Sequence, residues 1–302
     1  MSPLENESME LSDGRTLSYA VYGNTESDMA VIYMHSFPSS RYEGKIWHSA
    51  CETRGIRLVV PDRPGSGRST FQTNRKILDW PIDVAALADQ LKIDRFYLLG
   101  LSGGSPYVLA CINSLPKERI LGGGIVSGLY PPKFGTEGMM IATRIMLWAA
   151  PWMTGLTSFL FDTTIGKAAR NKDPKVLEAM MGRDIGNRHP GDREALNDPA
   201  NWPNFVAMTR ESFYQDSKGA GWEARLVGSD WGFEIDQLQV GEVGVPLTLW
   251  HGTADVNCPV GMAQKANDLI SGSELHLKEG DGHVNFVFRD GESILDGLVG
   301  KK

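Results

Sequence analysis

The stretch over residues 96–110, FYLLGLSGGSPYVLA, is the feature that most constrains the fold of this chain. It starts with a short apolar run, typical of a strand buried on both faces, and apolar residues recur at helical spacing from Tyr107 onward. Between the two, residues 100–104 fit the pattern G-x-S-x-G in the strand, turn and helix context that this pattern requires. We therefore predict a sharp turn that presents Ser102 to a ligand.

This turn makes Ser102 a candidate nucleophile. Flanking glycines let neighbouring backbone segments pass the strained turn without a Cβ clash. The free amides and the positive dipole end of the following helix favour negative charge that develops beside the serine, and Pro106 is tolerated in a first helical turn. The alternative is a glycine-rich turn that only opens a structural helix, and partner residues elsewhere have to decide between the two.

Length and charge limit the class of protein. A chain of 302 residues has room for one large α/β domain with an inserted subdomain, or for two domains. The net charge of −7 argues against a nucleic-acid binder, and the acidic N-terminus lacks the pattern of a signal peptide. No apolar run reaches membrane-spanning length. We expect a cytoplasmic protein that acts on a small molecule, without nucleic-acid or membrane partners, and the oligomeric state is left open.

The hydrophobic pattern predicts strands and helices in alternation. The strands are a hairpin over residues 9–22 with its turn at residues 12–15, followed by Ala30–Met34, Arg57–Pro61, Phe96–Leu101, 120–127, 245–251 and 274–278. The helices between and after them include residues 82–92, with Asp79 as the N-cap, residues 260–270, and a last helix opened by residues 279–283.

The character of the chain changes over residues 131–241, where helical patterns are broken by Pro and Gly and many large apolar residues occur. Five of the eight tryptophans lie here, together with several methionines: Trp148, Trp152, Trp202, Trp222 and Trp231. We predict a helical cap over residues 131–241, inserted into a core formed by residues 1–130 and 242–302. Most of these side chains are expected to form the core of the cap, and Trp148 and Trp152 are expected to join Phe37 in binding the substrate.

A serine hydroxyl is a weak nucleophile at neutral pH unless a base within hydrogen-bond reach removes its proton. His283 is the candidate base, because it follows the last predicted strand at the same sheet edge as Ser102. Asp255 leaves the preceding strand at that edge and is the candidate acid that fixes the imidazole tautomer. Asp281 is a rival acid, but it stands only two residues before the histidine, on the same loop.

Other reactive side chains receive plainer interpretations. His35 and His251 are predicted to brace loops, and Cys258 is predicted to be a small buried residue because no base pattern accompanies it. The histidines are scattered and paired Cys/His spacing does not occur in the sequence, so we predict no metal site and no cofactor.

The order Ser102, Asp255, His283 resembles that of the α/β-hydrolase superfamily. The resemblance covers nearly the whole chain, and its most specific segments are residues 100–104, 35–38 (HSFP), 62–67 (DRPGSG), 251–255 and 282–283. It implies a mostly parallel eight-stranded sheet flanked by helices, with a cap inserted after the strand that ends near Ser127.

The resemblance also implies an oxyanion hole formed by the backbone amides of Phe37 and Gly103. Ser36 stands where the family usually has glycine, and its hydroxyl is a candidate for a local hydrogen bond. Family members that open epoxides or remove halide carry Asp at the position of Ser102, so those reactions are not expected.

The sequence favours a serine hydrolase that cleaves a carboxylic ester, lactone or thioester of a small to medium apolar substrate, through an acyl-enzyme on Ser102. Two alternatives remain open at this point. One is a carbon-carbon bond hydrolase acting on a β-diketone or dienoate, or a lyase of secondary metabolism. The other is a small-molecule receptor that retains the triad.

Overall fold

The structure is a computed structural model that describes residues 2–300. Its centre is one sheet with the spatial order β1-β2-β4-β3-β5-β6-β7-β8. Strand β2 pairs antiparallel with β1 and with β4, and the remaining pairs are parallel. The strands are β1 (Leu4–Glu10), β2 (Thr16–Gly23), β3 (Ala30–Met34), β4 (Arg57–Pro61), β5 (Phe96–Leu101), β6 (Ile120–Val126), β7 (Leu247–Gly252) and β8 (Ser273–Lys278). The predicted fold class, a mostly parallel eight-stranded sheet flanked by helices, is confirmed.

Helices cover both faces of the sheet and fill the connection between β6 and β7. They are α1 (His48–Arg54), α2 (Trp80–Gln90), α3 (Ser105–Ser114), α4 (Ile141–Ala149), α5 (Thr154–Phe161), α6 (Lys167–Ala169), α7 (Pro174–Ile185), α8 (Pro190–Asn197), α9 (Trp202–Ser212), α10 (Lys218–Gly228), α11 (Val260–Leu269) and α12 (Asn285–Val299). Apolar residues of α2, α3 and α11 pack in one core cluster, and those of α1 and α12 pack in a second. The sheet is therefore covered on both sides, as its continuous apolar strands require.

The strand boundaries follow local chemistry. The predicted bounds of β3, β4 and β5 are those of the structure, because each is an unbroken apolar run followed by turn-forming residues. Strand β1 starts earlier than predicted, at Leu4, and its alternately exposed side chains mark an edge strand. Strand β7 starts at Leu247 rather than at Val245, since Pro246 has no amide hydrogen to donate to a ladder.

Two predicted ends also shift by one or two residues. Helix α2 begins at Trp80 instead of residue 82, with Asp79 at the predicted N-cap position. The Asp79 side chain accepts from the amide of Lys76 (2.7 Å), so it caps the turn before α2. Strand β6 ends at Val126 because Ser127 adopts a φ of 48°, which takes the chain out of the sheet.

The segment between β6 and β7 contains α4 to α10 and has a small core of its own. Buried members of that core are Ala169, Leu177, Met181, Val206 and Phe213. The helices lie within the predicted range 131–241, and the domain boundary itself stays a prediction. Over residues 2–300, every helix is too short or too polar to span a lipid bilayer.

Candidate active site

Ser102 lies on a sharp turn between β5 and α3. Its φ of 53° falls in the left-handed region, which a residue other than glycine rarely adopts. A Cβ on Gly104 would lie 2.0 Å from the carbonyl oxygen of Met34, so only glycine allows the turn to approach the end of β3 this closely. Pro106 occupies the first turn of α3, as predicted. The turn places the Ser102 side chain in the wall of a cavity.

His283 and Asp255 form a hydrogen-bonded pair at the same end of the sheet. Nδ1 of His283 lies 2.6 Å from Oδ2 of Asp255. A carboxylate can only accept, so Nδ1 carries the hydrogen and Nε2 is left as the basic nitrogen. The other oxygen of Asp255 accepts from the amides of Asn257 (2.7 Å) and Cys258 (3.0 Å). The carboxylate of Asp255 is therefore held in place by backbone amides of its own loop.

The electrostatics of the pair favour its charged form. Burial raises the pKa of the Asp255 carboxyl, but the charge of His283 and hydrogen bonds from His251 and His283 outweigh it and hold that pKa well below its usual range. Burial lowers the pKa of His283, but the charge and hydrogen bond of Asp255, with the charge of Asp192, leave it above its usual value of about 6.5. An imidazolium that forms here is stabilised.

Asp281 and His251, the other acidic and imidazole side chains near this pair, make different contacts. The Asp281 carboxylate accepts from Asn285 Nδ2 (2.6 Å) and Arg289 Nη2 (2.6 Å), whereas the bond to His283 belongs to Asp255. His251 donates from Nε2 to the carbonyl of Cys258 (2.7 Å), in keeping with its predicted bracing role.

Cys258 is close to Ser102, with its Sγ 4.0 Å from Ser102 Oγ. Burial, and then the charge of Asp255, raise the pKa of its thiol well above the usual value. The thiol therefore stays protonated and is a poor nucleophile, which agrees with the prediction of a small buried residue.

The loop after β3 lies against the turn at Ser102. A Cβ on Gly103 would be 3.3 Å from the amide nitrogen of Phe37, so the two backbone segments with the proposed oxyanion donors are adjacent. Arg63 fixes the start of this loop by donating to the carbonyls of His35 (2.6 Å) and Ser36 (2.9 Å).

Ser36 has a partner that sequence reasoning missed. Its amide donates to Oε1 of Glu43 (2.7 Å) and its hydroxyl donates to Oε2 of the same carboxylate. Tyr33 donates to Glu43 as well (2.7 Å), and Glu43 is fully buried. The residue that replaces glycine in the loop therefore makes the local hydrogen bond for which it was a candidate, and Glu43 holds the loop in place.

Ser102, His283, Phe37 and Gly103 line one cavity of about 640 Å³. Most of its other lining side chains are apolar. The inserted helices contribute four methionines, which are flexible, and two phenylalanines: Met146, Met180, Met181, Met208, Phe161 and Phe205. A volume of this size suits a ligand of medium size, and the lining suits an apolar one.

Trp148 and Trp152 do not line this cavity, contrary to the prediction. They are 75% and 84% exposed and lie along a separate groove with Arg225. On α4, Thr143, Met146 and Leu147 face the cavity, whereas Ile141, Ile145 and Trp148 recur at helical spacing on the outer face. Both faces of α4 are apolar, so the sequence pattern did not distinguish them.

Single substitutions Trp148→Ala and Trp152→Ala are expected to leave activity at this cavity within about twofold of wild type, because neither side chain borders the cavity. Met146→Ala, two residues from Trp148 and on the inner face, is the matched variant and should change KM more. Steady-state kinetics on the purified variants decide this. A tenfold loss in Trp148→Ala or Trp152→Ala would contradict the corrected assignment.

Comparisons with known proteins bear on the fold of the chain. No family model matches the chain. The chain is 22% identical over 295 residues to a proline iminopeptidase of Lactobacillus helveticus, with 91% of this chain and 90% of the relative covered. Among solved structures, an epoxide hydrolase from Vigna radiata has a TM-score of 0.68 at 18% identity, with 98% of this chain and 96% of that chain covered. An enol-lactonase from Burkholderia xenovorans LB400 has a TM-score of 0.67 at 17% identity, with 97% and 99% covered.

The chain has the fold of the α/β-hydrolase superfamily. The names of these relatives and structural neighbours support a hydrolase of this fold. Within residues 2–300, no group of three or more His, Cys, Asp or Glu side chains is placed to hold a metal ion.

Proposed function

We propose that the protein is a serine hydrolase that cleaves a carboxylic ester, lactone or thioester through an acyl-enzyme on Ser102. The observation that carries the proposal is the 2.6 Å contact of His283 Nδ1 with Asp255, made in the wall of the cavity that Ser102 also lines. Lactones and linear esters both contain a carbonyl carbon bonded to an oxygen leaving group. A serine hydroxyl with a histidine base is suited to attack such a carbonyl carbon.

Each group has one task in the proposed reaction. His283 takes the proton of Ser102 at Nε2 while the serine oxygen attacks the substrate carbonyl, and Asp255 stabilises the imidazolium. The amides of Phe37 and Gly103 donate to the oxyanion, which forms only in the transition state and intermediate. The imidazolium then protonates the leaving group. Water, deprotonated by the same histidine, releases the acid and regenerates the serine.

The cavity narrows the class of substrate. A charged group placed among the methionine and phenylalanine side chains would lose its hydration, which costs several kcal/mol. The charged side chains in the lining already have partners: Glu43 is bonded to Ser36, and Arg188 pairs with Asp184 (3.4 Å). We therefore propose an uncharged substrate of medium size, with its apolar part beneath the inserted helices. A cytoplasmic location and a small molecule as the partner are part of the same proposal.

The test is covalent labelling followed by turnover. A serine-directed phosphonate should add its mass once to the wild-type protein and not to Ser102→Ala. A panel of one ester, one lactone, one thioester and one β-diketone with matched apolar groups then defines the bond that is cleaved. Turnover of the diketone alone would reject ester hydrolysis. A compound that raises the melting temperature and is recovered unchanged, whichever residue occupies position 102, would favour the small-molecule receptor instead. Wild-type protein that resists labelling would reject the nucleophile.

The pH dependence of the proposed reaction follows from His283. The imidazole acts as a base only when neutral, and its pKa is raised above about 6.5 in the folded protein. We therefore expect kcat/KM to be constant above that raised pKa and to fall about tenfold per pH unit below it. A rate profile from pH 5 to 9 on an ester without ionisable groups checks this. A profile whose acid limb has an apparent pKa below about 6.5 would contradict it.

A further inference from the structure

Asp192 lies on α8 of the inserted helices and is fully buried. Its carboxylate accepts three backbone hydrogen bonds from the loop of the proposed base. The amide of His283 donates to Oδ2 (2.7 Å), and the amides of Val284 (2.7 Å) and Asn285 (2.9 Å) donate to Oδ1. Val284 is the N-cap of α12 and Asn285 its first residue, so their amides are among those that have no partner within the helix, and the amide of His283 directly precedes them.

Helix α12 lacks a cap from its own sequence. Val284 occupies the N-cap position, and its side chain has no polar atom with which to bond the free amides. Asp192, 92 residues before Val284 in the chain, instead accepts from the amides of Val284 and Asn285 at the start of the helix. A carboxylate at the positive end of the α12 dipole is also favourable in charge.

The two segments are shaped to meet. A Cβ on Gly282, directly before the base, would lie 2.5 Å from Oδ2 of Asp192. A Cβ on Gly191, directly before the aspartate, would lie 2.9 Å from Nδ2 of Asn285. Glycine therefore precedes each partner at the point of closest approach, which marks a specific contact between the inserted helices and the loop of the base.

His283 is held from three elements. Its ring contacts Asp255 after β7, and its carbonyl accepts from Oγ of Ser127 after β6 (2.6 Å). Its amide donates to Asp192. Of these three partners, Asp192 alone belongs to the inserted helices.

We propose that Asp192 is a positioning residue for the base: it fixes the backbone of His283 so that the ring stays aligned with Asp255 and Ser102, and its charge offsets the positive helix end beside the imidazolium. This inference rests on the function proposed above. It makes the inserted helices part of the catalytic arrangement as well as the cover of the cavity.

The central variants are Asp192→Asn, which keeps one acceptor oxygen, and Asp192→Ala, which keeps none. Asp198→Asn is the matched control, because Asp198 is the C-cap of the same helix and its side chain accepts a local bond from the amide of Ala200 (2.8 Å). We expect Asp192→Ala to lower kcat about 10- to 100-fold, normalised to the concentration of sites that react with the phosphonate, and to leave KM within about threefold. A displacement of the base by about 1 Å is enough to lower the rate by this factor. Asp192→Asn should lie between Asp192→Ala and wild type.

The pH profile gives a readout that a general loss of packing would not move. The charged groups facing the ring are Asp255 from the β7 loop, Asp192 from α8 and Arg188 from the segment before α8. Removing the negative charge of Asp192 should move the titration of His283, followed by NMR, to lower pH in both variants. The acid limb of kcat/KM should move with it, and Asp198→Asn should shift neither.

The outcomes separate this inference from the proposed function. If wild-type protein is neither labelled nor active, the proposed function fails, and the NMR titration still tests the contact between Asp192 and His283. If Asp192→Asn keeps wild-type kcat and an unshifted titration, the positioning role is wrong. Should both variants fail to fold, hydrogen exchange of the wild-type amides 283–285 decides: exchange as fast as in an exposed loop overturns the proposal, and protection like that of the interior of α12 supports it.

Discussion

Replacement of Ser102 by alanine is expected to lower kcat for an ester by about 10⁶-fold, because the attacking oxygen is removed while the rest of the site stays in place. The hydroxyl makes few contacts that stabilise the fold, so the melting temperature should stay within a few degrees of wild type. A residual rate above that in water is expected from the oxyanion donors and substrate binding. Steady-state assays with a detection limit near one part in 10⁶ measure the loss.

Cys258→Ala is the control for that experiment, since Cys258 is the other side chain with a nucleophilic atom beside Ser102. Its buried, protonated thiol takes no part in the proposed reaction, so labelling and kcat should stay within a few-fold of wild type. Ester turnover that survives Ser102→Ala and disappears in Cys258→Ala would transfer the role of nucleophile to the cysteine.

The sequence was most informative where chemistry is local. Strands β3, β4 and β5 could be bounded because each apolar run ends at turn-forming residues. The turn at Ser102 and the positions of Asp255 and His283 after the last two strands were predictable, since carboxyl ends of parallel strands share one edge of a sheet. The structure brings His283 and Asp255 into contact there.

The features that the sequence did not reveal depend on contacts between distant parts of the chain. Glu43 holds Ser36 from a short helical segment, and no pattern pairs a glutamate with that loop. Asp192 is 91 residues from His283 and sits in a helix that reads as an ordinary polar one. On α4, apolar side chains on both faces concealed the direction of Trp148, which tertiary packing alone decides.

The inserted helices are also joined to the core by buried charges. Glu223 on α10 faces both Arg63 and Arg75 in ion pairs, and Glu211 on α9 lies 2.7 Å from Arg41. Arg63 is the residue that donates to the carbonyls of His35 and Ser36, so one guanidinium contacts both the loop after β3 and the inserted helices. Together with the contact between Asp192 and the loop of His283, these ion pairs join the inserted helices to the core on both sides of the cavity.

Gly104→Ala is expected to destabilise the folded protein by about 3 kcal/mol or more, the upper part of the range for overpacking a rigid core. The added Cβ would lie 2.0 Å from the carbonyl oxygen of Met34 and 3.1 Å from that of His35. Both are backbone atoms at the end of β3, so no side-chain rotation relieves the contact. Relief requires the turn at Ser102 and the loop after β3 to move apart, so the folded variant should also lose activity.

The matched control is Gly261→Ala, at a glycine of α11 whose added Cβ would meet nothing within 4 Å. There the same substitution should stabilise the protein by about 0.4–1 kcal/mol, because it reduces the freedom of the unfolded chain. Urea denaturation of both variants gives the two free energies of unfolding. A Gly104→Ala protein as stable as wild type would mean that the turn at Ser102 and the end of β3 do not pack this closely. The adjacency of the Phe37 and Gly103 backbone segments, on which the proposed oxyanion hole depends, would then be wrong as well.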